Sequence, residues 1–415
     1  MTQRDRTTTT DGTTTGAPAA HEVKAGRGAS RGRRGVAAVA GATFTVVTSE
    51  MLPVGLLTPL GEALEVTEGT AGLTLTITGL VGAVSAPLLT PLAARFDRRT
   101  VLCALMAVLA VGNLLAAGAP DFAVMVAARV LVGIGMGGVW TIAAGLAVRL
   151  VPAGSVGTAT ASIFSGIAVA SVLGVPAGTW LGGLLGWRAA FAAMAALSLV
   201  VVAALALLLP ALPAEPGVRS GGVPRLLRQA RVRAGLAVVA LLVTGHFAAY
   251  TYVRPALEEL SGADAGTIGT LLAVYGVAGV VGNFAAGAGV GRSPRATLVV
   301  IGAVLAGSIA LVPALGRTVP VAAVLLVLWG LSYGGVSVAA QSRLMAPAST
   351  STSASAPGDR EALSALFVGV FNAAIALGAL LGGLASDGAG VSAALWLGGG
   401  LAAAALAVTV PHRAP

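Results

Sequence analysis

The sequence predicts an all-α membrane protein with twelve transmembrane helices in two six-helix pseudo-repeat bundles. Three observations carry this: a composition that water cannot solvate, twelve apolar runs of spanning length, and features of one half that recur in the other at a nearly constant offset. The chain has 415 residues, of which 56% are hydrophobic and 10% charged, against roughly 25% charged in an average soluble domain. Too few polar residues remain to cover a water-facing surface, so lipid must cover it. The 58 glycines suit helices packed closely in a bilayer, where small residues let backbones approach.

Residues 1–35 are rich in Thr, Gly and Arg and have no apolar run, which predicts a disordered cytoplasmic arm. The first apolar segment is too long for a signal-peptide core, so it is expected to remain as a helix. At about 20 apolar residues per crossing, the first bundle (36–213) holds spans at 36–60, 70–92, 100–119, 122–148, 157–183 and 189–213. A Pro/Gly/Arg-rich cytoplasmic linker follows at 214–233. The second bundle (234–411) holds spans at 234–254, 265–290, 296–315, 320–344, 361–385 and 391–411, with a short tail at 412–415.

The charges check this count. With the N-terminus inside, inner loops, inner helix ends and termini hold 21 of the 25 Lys and Arg residues, and outer loops and helix ends hold only Arg188, Arg254 and Arg317. That is the positive-inside pattern. It accounts for the net charge of +9 by topology, and nucleic acid is not expected as a partner. Cys103 is the one cysteine, which excludes an intramolecular disulfide and a cysteine metal cluster. No metal, cofactor, catalytic nucleophile or phosphate loop is indicated, so an enzyme is not expected.

The repeat is visible as paired features. Arg95 and Arg98 match Arg292 and Arg295 at offset 197, as does GIGMGGV (133–139) with GLSYGGV (330–336). VTSE (47–50) matches VTGH (243–246), and Pro59 matches Pro255, at offset 196. Gly174 and Gly178 match Gly378 and Gly382 at offset 204. Two parallel six-helix repeats are an architecture of secondary transporters.

Away from loops and helix ends, one acid and one base remain inside the spans: Glu50 in the first and Arg129 in the fourth. Their depths agree within about one turn at roughly 1.5 Å per residue, so a salt bridge or a shared watery pocket is possible. A charge at the bilayer centre costs roughly 2.5–3.5 kcal/mol, which makes such residues functional candidates. The alternative is a fixed structural ion pair. His246, at the position equivalent to Glu50, is either a second proton site or a neutral imidazole bonded to a neighbouring helix. Trp140, Thr141, Tyr250, Asn283, Tyr333 and Asn372 also fall within spans. They are candidates for a mostly apolar cavity, or for helix packing.

At these residues the sequence resembles the major facilitator superfamily, in particular its twelve-helix drug:proton antiporters. TSEMLPVGLL (48–57) is similar to a first-helix signature of bacterial efflux members, and RVLVGIG (129–135) to the family's RxxxG pattern. The resemblance implies a proton-coupling role for Arg129. GVPAG (174–178) looks like the antiporter motif, which implies that Gly174, Pro176 and Gly178 shape the gate. Pro176 removes a backbone hydrogen bond, while Leu380 stands at the equivalent place in the second half. The loop TPLAARFDRR (90–99) departs from the family's pattern, with Ala94 at the acidic position. Asp97 is then the acid available for the loop's ion pair, among Arg95, Arg98 and Arg99. GGVW (137–140), AVRLVP (147–152) and TYVRP (251–255) are similar to stretches of purine ribonucleoside exporters and, less closely, of sugar and chloramphenicol exporters.

The resemblance implies proton-coupled export of a small organic solute by alternating access, in a bacterial-type inner (plasma) membrane, by a monomer with both termini cytoplasmic. An importer of the same fold, or a membrane sensor that transports nothing, stays open beside it. The expected partners are a small-molecule substrate, protons and membrane lipid.

Overall fold

The structure, a computed structural model, describes residues 18–93, 95–213, 223–345 and 357–409. Within the segments expected from sequence, arm residues 1–17, linker residues 214–222 and the tail 412–415 lie outside the described residues. Twelve helices are long and apolar enough to span a membrane. In the first half they are α1 (Gly32–Ala63), α2 (Glu68–Leu89), α3 (Arg98–Ala117), α4 (Phe122–Trp140), α5 (Ala153–Leu185) and α6 (Trp187–Leu208). In the second they are α7 (Ala230–Tyr250), α8 (Ala265–Arg292), α9 (Pro294–Leu315), α10 (Val319–Met345), α11 (Ala362–Ala389) and α12 (Val391–Thr409). Among the described residues there is no strand.

The helix containing α1 begins at Pro18. Residues 18–35 therefore extend the first helix, where the sequence led us to expect part of a disordered arm. The run carries Ala, Glu, Lys and Arg, all good helix formers, and it continues without a break into the apolar span.

Short polar side chains start several helices by accepting from the unpaired first-turn N–H groups. Asp121 accepts from Val124 N at 2.9 Å for α4, and Asp264 from Thr267 N at 2.8 Å for α8. Two tight turns join α5 to α6 and α11 to α12 at Gly186 (φ 86°) and Gly390 (φ 83°), a conformation open to glycine because it has no Cβ. These glycines also stand at offset 204, so the repeat extends to the turns.

The packing repeats as well. In the first half α1 lies against α5 and α6, α2 against α4, and α3 against α4 and α6; in the second, α7 lies against α11 and α12, α8 against α10, and α9 against α10 and α12. The halves meet along α2 with α11 and α5 with α8. The most enclosed helices are α1 and α7, with 72% and 67% of their most apolar stretch buried, against 33% for α6. They are the inner helices of their bundles, and they carry positions 50 and 246.

Small residues set these contacts. A Cβ on Gly174, Gly178 or Gly182 would run into Thr48, Leu52 or Leu56 of α1. Gly378 and Gly382 press in the same way on the α7 backbone at Thr244 and Ala248. One turn of α5, Ala170–Gly174, is a π-helix directly ahead of Pro176. The α11 region runs as a single α-helix from Pro357 to Ala389.

Two ends of the molecule can be distinguished. The linker end carries the 95–99 loop and the start of α7. The far end carries the turns after α1, α5 and α11.

Candidate functional site

Halfway along α1 the chain reads Ser49-Glu50-Met51-Leu52-Pro53. Pro53 lies inside the helix and has no N–H, so the Ser49 carbonyl loses its intrahelical donor. Arg129 of α4 supplies a replacement. Its Nη1 donates to Ser49 O at 3.0 Å, Nη2 to Glu50 O at 3.0 Å, and Nε to Thr74 O of α2 at 3.1 Å. The guanidinium is fully buried, and its planar fork of donors suits this three-carbonyl cradle. Beside it, Ser49 Oγ donates to Asn113 Oδ1 of α3 at 2.9 Å. Residues 49 and 50 are thereby bolted to α2, α3 and α4.

Glu50 is buried, 5% exposed, and its Oε1 has no hydrogen-bond partner. Sequence depth left a salt bridge with Arg129 open. The structure brings the two residues together, but the arginine's donors go to backbone carbonyls. An ion pair forms elsewhere, between Arg254 and Glu258. Thr48, one turn from Leu52 on the face against Gly174, also has a buried hydroxyl with no partner.

His246 sits in a different setting. Its ring lies 3.4 Å from Tyr333 at 9°, 4.9 Å from Tyr250 at 21° and 6.4 Å from Tyr275 at 16°. Trp329 stands edge-on and donates Nε1–H to His246 Nδ1 at 2.9 Å. An indole can only donate, so Nδ1 is unprotonated in this arrangement and the ring's proton sits on Nε2. Tyr275 Oη is buried without a partner. The edge-on contact of Trp329 and the wider stacks with Tyr250 and Tyr275 each add about 0.5–1.5 kcal/mol beyond burial.

The other expected site residues are dispersed. Tyr250 and Tyr333 belong to the ring stack, whereas Trp140 is half-buried and stacks on Phe164 (6.1 Å, 15°). Asn283 is exposed, and Asn372 turns its amide onto Val368 O at 3.1 Å. The side chain of Thr141 lies outside the described residues. Gly174, Pro176 and Gly178 are all buried, the two glycines against α1.

Asp97 requires a correction. Among the described residues it forms no ion pair with Arg95, Arg98 or Arg99; its Oδ1 caps α3 through Arg99 N (2.9 Å) and Thr100 N (3.3 Å), and its Oδ2 accepts from Leu212 N at 2.7 Å. It ties the start of α3 to the chain leaving α6, because an aspartate directly before a helix finds unpaired N–H groups closer than any guanidinium. Arg95 is exposed, and Arg98 and Arg99 are partly exposed.

Sequence reasoning missed the far end. Arg254, expected at the outer end of its span, is buried; it bonds Gly55 O and Glu258, which also accepts from Thr58, beside a cavity of about 480 Å³ lined in addition by Glu62, Glu68 and Glu259. Asp387 of α11 accepts from Thr67 Oγ1 (2.8 Å) and Gly69 N (2.9 Å) at the start of α2. Trp180 of α5 donates to Gly266 O of α8 at 3.2 Å. These bonds join the two halves.

Comparison with known proteins agrees with this architecture. The family model described as Major Facilitator Superfamily matches residues 39–356. The transcription regulatory protein OpdE of Pseudomonas aeruginosa is 35% identical over 368 residues, covering 86% of this chain and 88% of that protein. The purine ribonucleoside efflux pump NepI of Salmonella paratyphi B is 32% identical over 366 residues, covering 88% and 90%. Among solved structures, a mutant of the nucleoside transporter NupG matches with a TM-score of 0.73 at 14% identity, over 90% of this chain and 98% of that one. The human organic anion transporter MFSD10 matches at 0.65 and 19%, over 91% and 99%. With its twelve apolar helices in two repeated bundles, the chain belongs to the Major Facilitator Superfamily of multi-pass membrane transporters.

Proposed function

We propose that the protein exports a small organic solute in exchange for protons, and that Glu50 carries the proton. One observation carries this reading: Glu50 is buried midway along an inner helix, with a carboxyl oxygen that has no partner and an arginine neighbour whose three nitrogens each donate to a backbone carbonyl rather than to that oxygen. An acid locked in an ion pair would have no reason to exchange its proton. This one is held in place by its backbone and left free at its carboxyl group.

Arg129 then acts as a fixed positive charge beside a group that alternates between charged and neutral. Its cradle keeps the guanidinium still while Glu50 changes state. The basic loops at the linker end support a cytoplasmic orientation for that end and for both termini, in a bacterial-type inner membrane and with lipid headgroups against Arg95, Arg98 and Arg99. In this state the halves are fastened at the far end, so cargo enters from the cytoplasmic side. The cycle proceeds by opening the far end, loading Glu50 with an outside proton and releasing the solute. One proton moving down 100 mV provides about 2.3 kcal/mol, which sustains a roughly 50-fold solute gradient.

The efflux-pump relatives make purine ribonucleosides the first solutes to try, followed by amphenicols and cationic drugs. The test is uptake of labelled solute into inverted vesicles under an imposed pH gradient, with the wild-type chain and Glu50→Gln. Gradient-driven uptake lost in Glu50→Gln, with the protein still inserted, supports the assignment; unchanged coupled uptake removes Glu50 from the mechanism. The name of the OpdE relative favours a second reading, a membrane component of regulation. No wild-type uptake of any solute in either direction would turn the assignment towards it.

A further inference from the structure

Proline appears twice inside α1, at Pro53 and Pro59, and each leaves the carbonyl four residues earlier without a helical donor. For Pro53 the bare acceptor is Ser49 O, which Arg129 of the same half occupies. For Pro59 it is Gly55 O. That acceptor is taken by Arg254 of the other half, whose Nη1 donates at 2.6 Å.

The rest of the contact closes around this bond. Arg254 Nε donates to Glu258 Oε1 at 2.8 Å, and Glu258 Oε2 accepts from Thr58 Oγ1 at 2.5 Å. Two hydrogen bonds, one of them to a carbonyl that the first half cannot satisfy by itself, thus cross the boundary within one turn of α1. The two arginines use the same chemistry with opposite consequences. Arg129 stays with its carbonyl because both belong to one rigid bundle, whereas Arg254 must leave Gly55 whenever the halves part at the far end. The adjoining cavity of about 480 Å³ gives water access to the carbonyl and the guanidinium at that moment, so release exchanges a protein hydrogen bond for solvent ones.

We propose that Arg254 is a positioning residue of the transport cycle: docked on the Gly55 carbonyl that Pro59 leaves open, it holds the far end shut. The inference does not depend on the identity of the driving ion or of the cargo.

The test is hydrogen exchange, followed by mass spectrometry, on the full-length protein in lipid nanodiscs, without solute or gradient. In Arg254→Gln, exchange at 66–75 and 380–389 should rise about tenfold, the shift expected from one charged hydrogen bond. Exchange at 156–169, at the linker end of α5, should fall as the population moves towards the far-end-open state. Pro59→Ala is the second variant. It gives Gly55 O a helical donor that competes with Arg254 and weakens the docking without weakening the helix, so it should raise far-end exchange with no drop in thermal midpoint. The double variant should exchange no faster at the far end than Arg254→Gln alone, since both changes break one bond. The proposal is overturned by increased exchange at both ends alike, by an unchanged far end, or by effects of the two changes that multiply in the double variant.

Discussion

Position 50 in the first half and position 246 in the second are equivalent by repeat, on equivalent helices and in similarly enclosed settings, yet they are furnished with different chemistry. Around Glu50 the polar groups are an arginine, backbone carbonyls and a Ser49–Asn113 bond from four helices. Around His246 they are rings: Tyr333, Tyr250, Tyr275 and Trp329, with one indole N–H fixing the imidazole. The frame is duplicated and its furnishing is not. A buried carboxylic acid needs a neighbouring cation that cannot drift, whereas a buried neutral imidazole needs one donor and flat apolar surfaces. At these two equivalent positions the first bundle has charged groups and the second has rings.

The largest effect that would break this comparison is expected at position 129. Arg129→Ala leaves the Ser49 carbonyl without a donor, removes the guanidinium's bonds to the Glu50 and Thr74 carbonyls, and takes away the charge beside Glu50, and it should cost about 3 kcal/mol or more. The equivalent Leu326→Ala should cost about 2–5 kcal/mol through its cavity alone. Thermal unfolding in detergent, with and without Pro53→Ala, separates the two causes. Pro53→Ala returns a donor to Ser49 O and should recover about 1 kcal/mol in the Arg129→Ala background, and nothing in the Leu326→Ala background.

The next effect is functional. Glu50→Gln should reduce pH-driven flux at least ~100-fold with the fold intact, while His246→Gln, whose amide oxygen can still accept from Trp329, should keep the dependence on the pH gradient. Equal loss in both variants, measured in the same vesicles, would mean that the two halves share the proton task. The smallest effect is expected from Trp329→Phe, which removes the donor to His246 Nδ1 and should cost about 1 kcal/mol without changing the proton dependence of flux.

The helices, their order and the repeat could be read from sequence because each is local: apolar length, loop charge and a fixed offset need no knowledge of what touches what. The depth match of Glu50 and Arg129 was legible for the same reason. What the guanidinium binds was not, because a carbonyl set free by Pro53 is visible only once α4 is known to pass beside it. Arg254 was placed at the outer end of its span on charge alone, and its partner, Gly55 O, lies nearly two hundred residues away in sequence. The ring stack was half seen. His246, Tyr250 and Tyr333 were picked out one by one as span residues; Trp329 stands one turn before Tyr333 on α10 but was passed over, and Tyr275 comes from α8, which no sequence spacing joins to the others. Residues 18–35 read as part of an arm because glycines and charges resemble a tail when the helix they adjoin is left out of view.

The π-helical turn at Ala170–Gly174 has a consequence for how the two bundles can move. Gly166, which presses on Thr43 and Ala40, and Gly174, which presses on Thr48, both face α1. In an unbroken α-helix, eight residues at 100° each would set them about 80° out of phase. The wider turn absorbs the surplus residue and brings both onto one line. Tightening that turn back to α-helical pitch would rotate everything beyond it, including Trp180 with its bond to Gly266 of the opposite bundle, about the helix's own axis. The uninterrupted α11 has no such slip point among its described residues, so α5 can turn like a screw where its counterpart can only tilt.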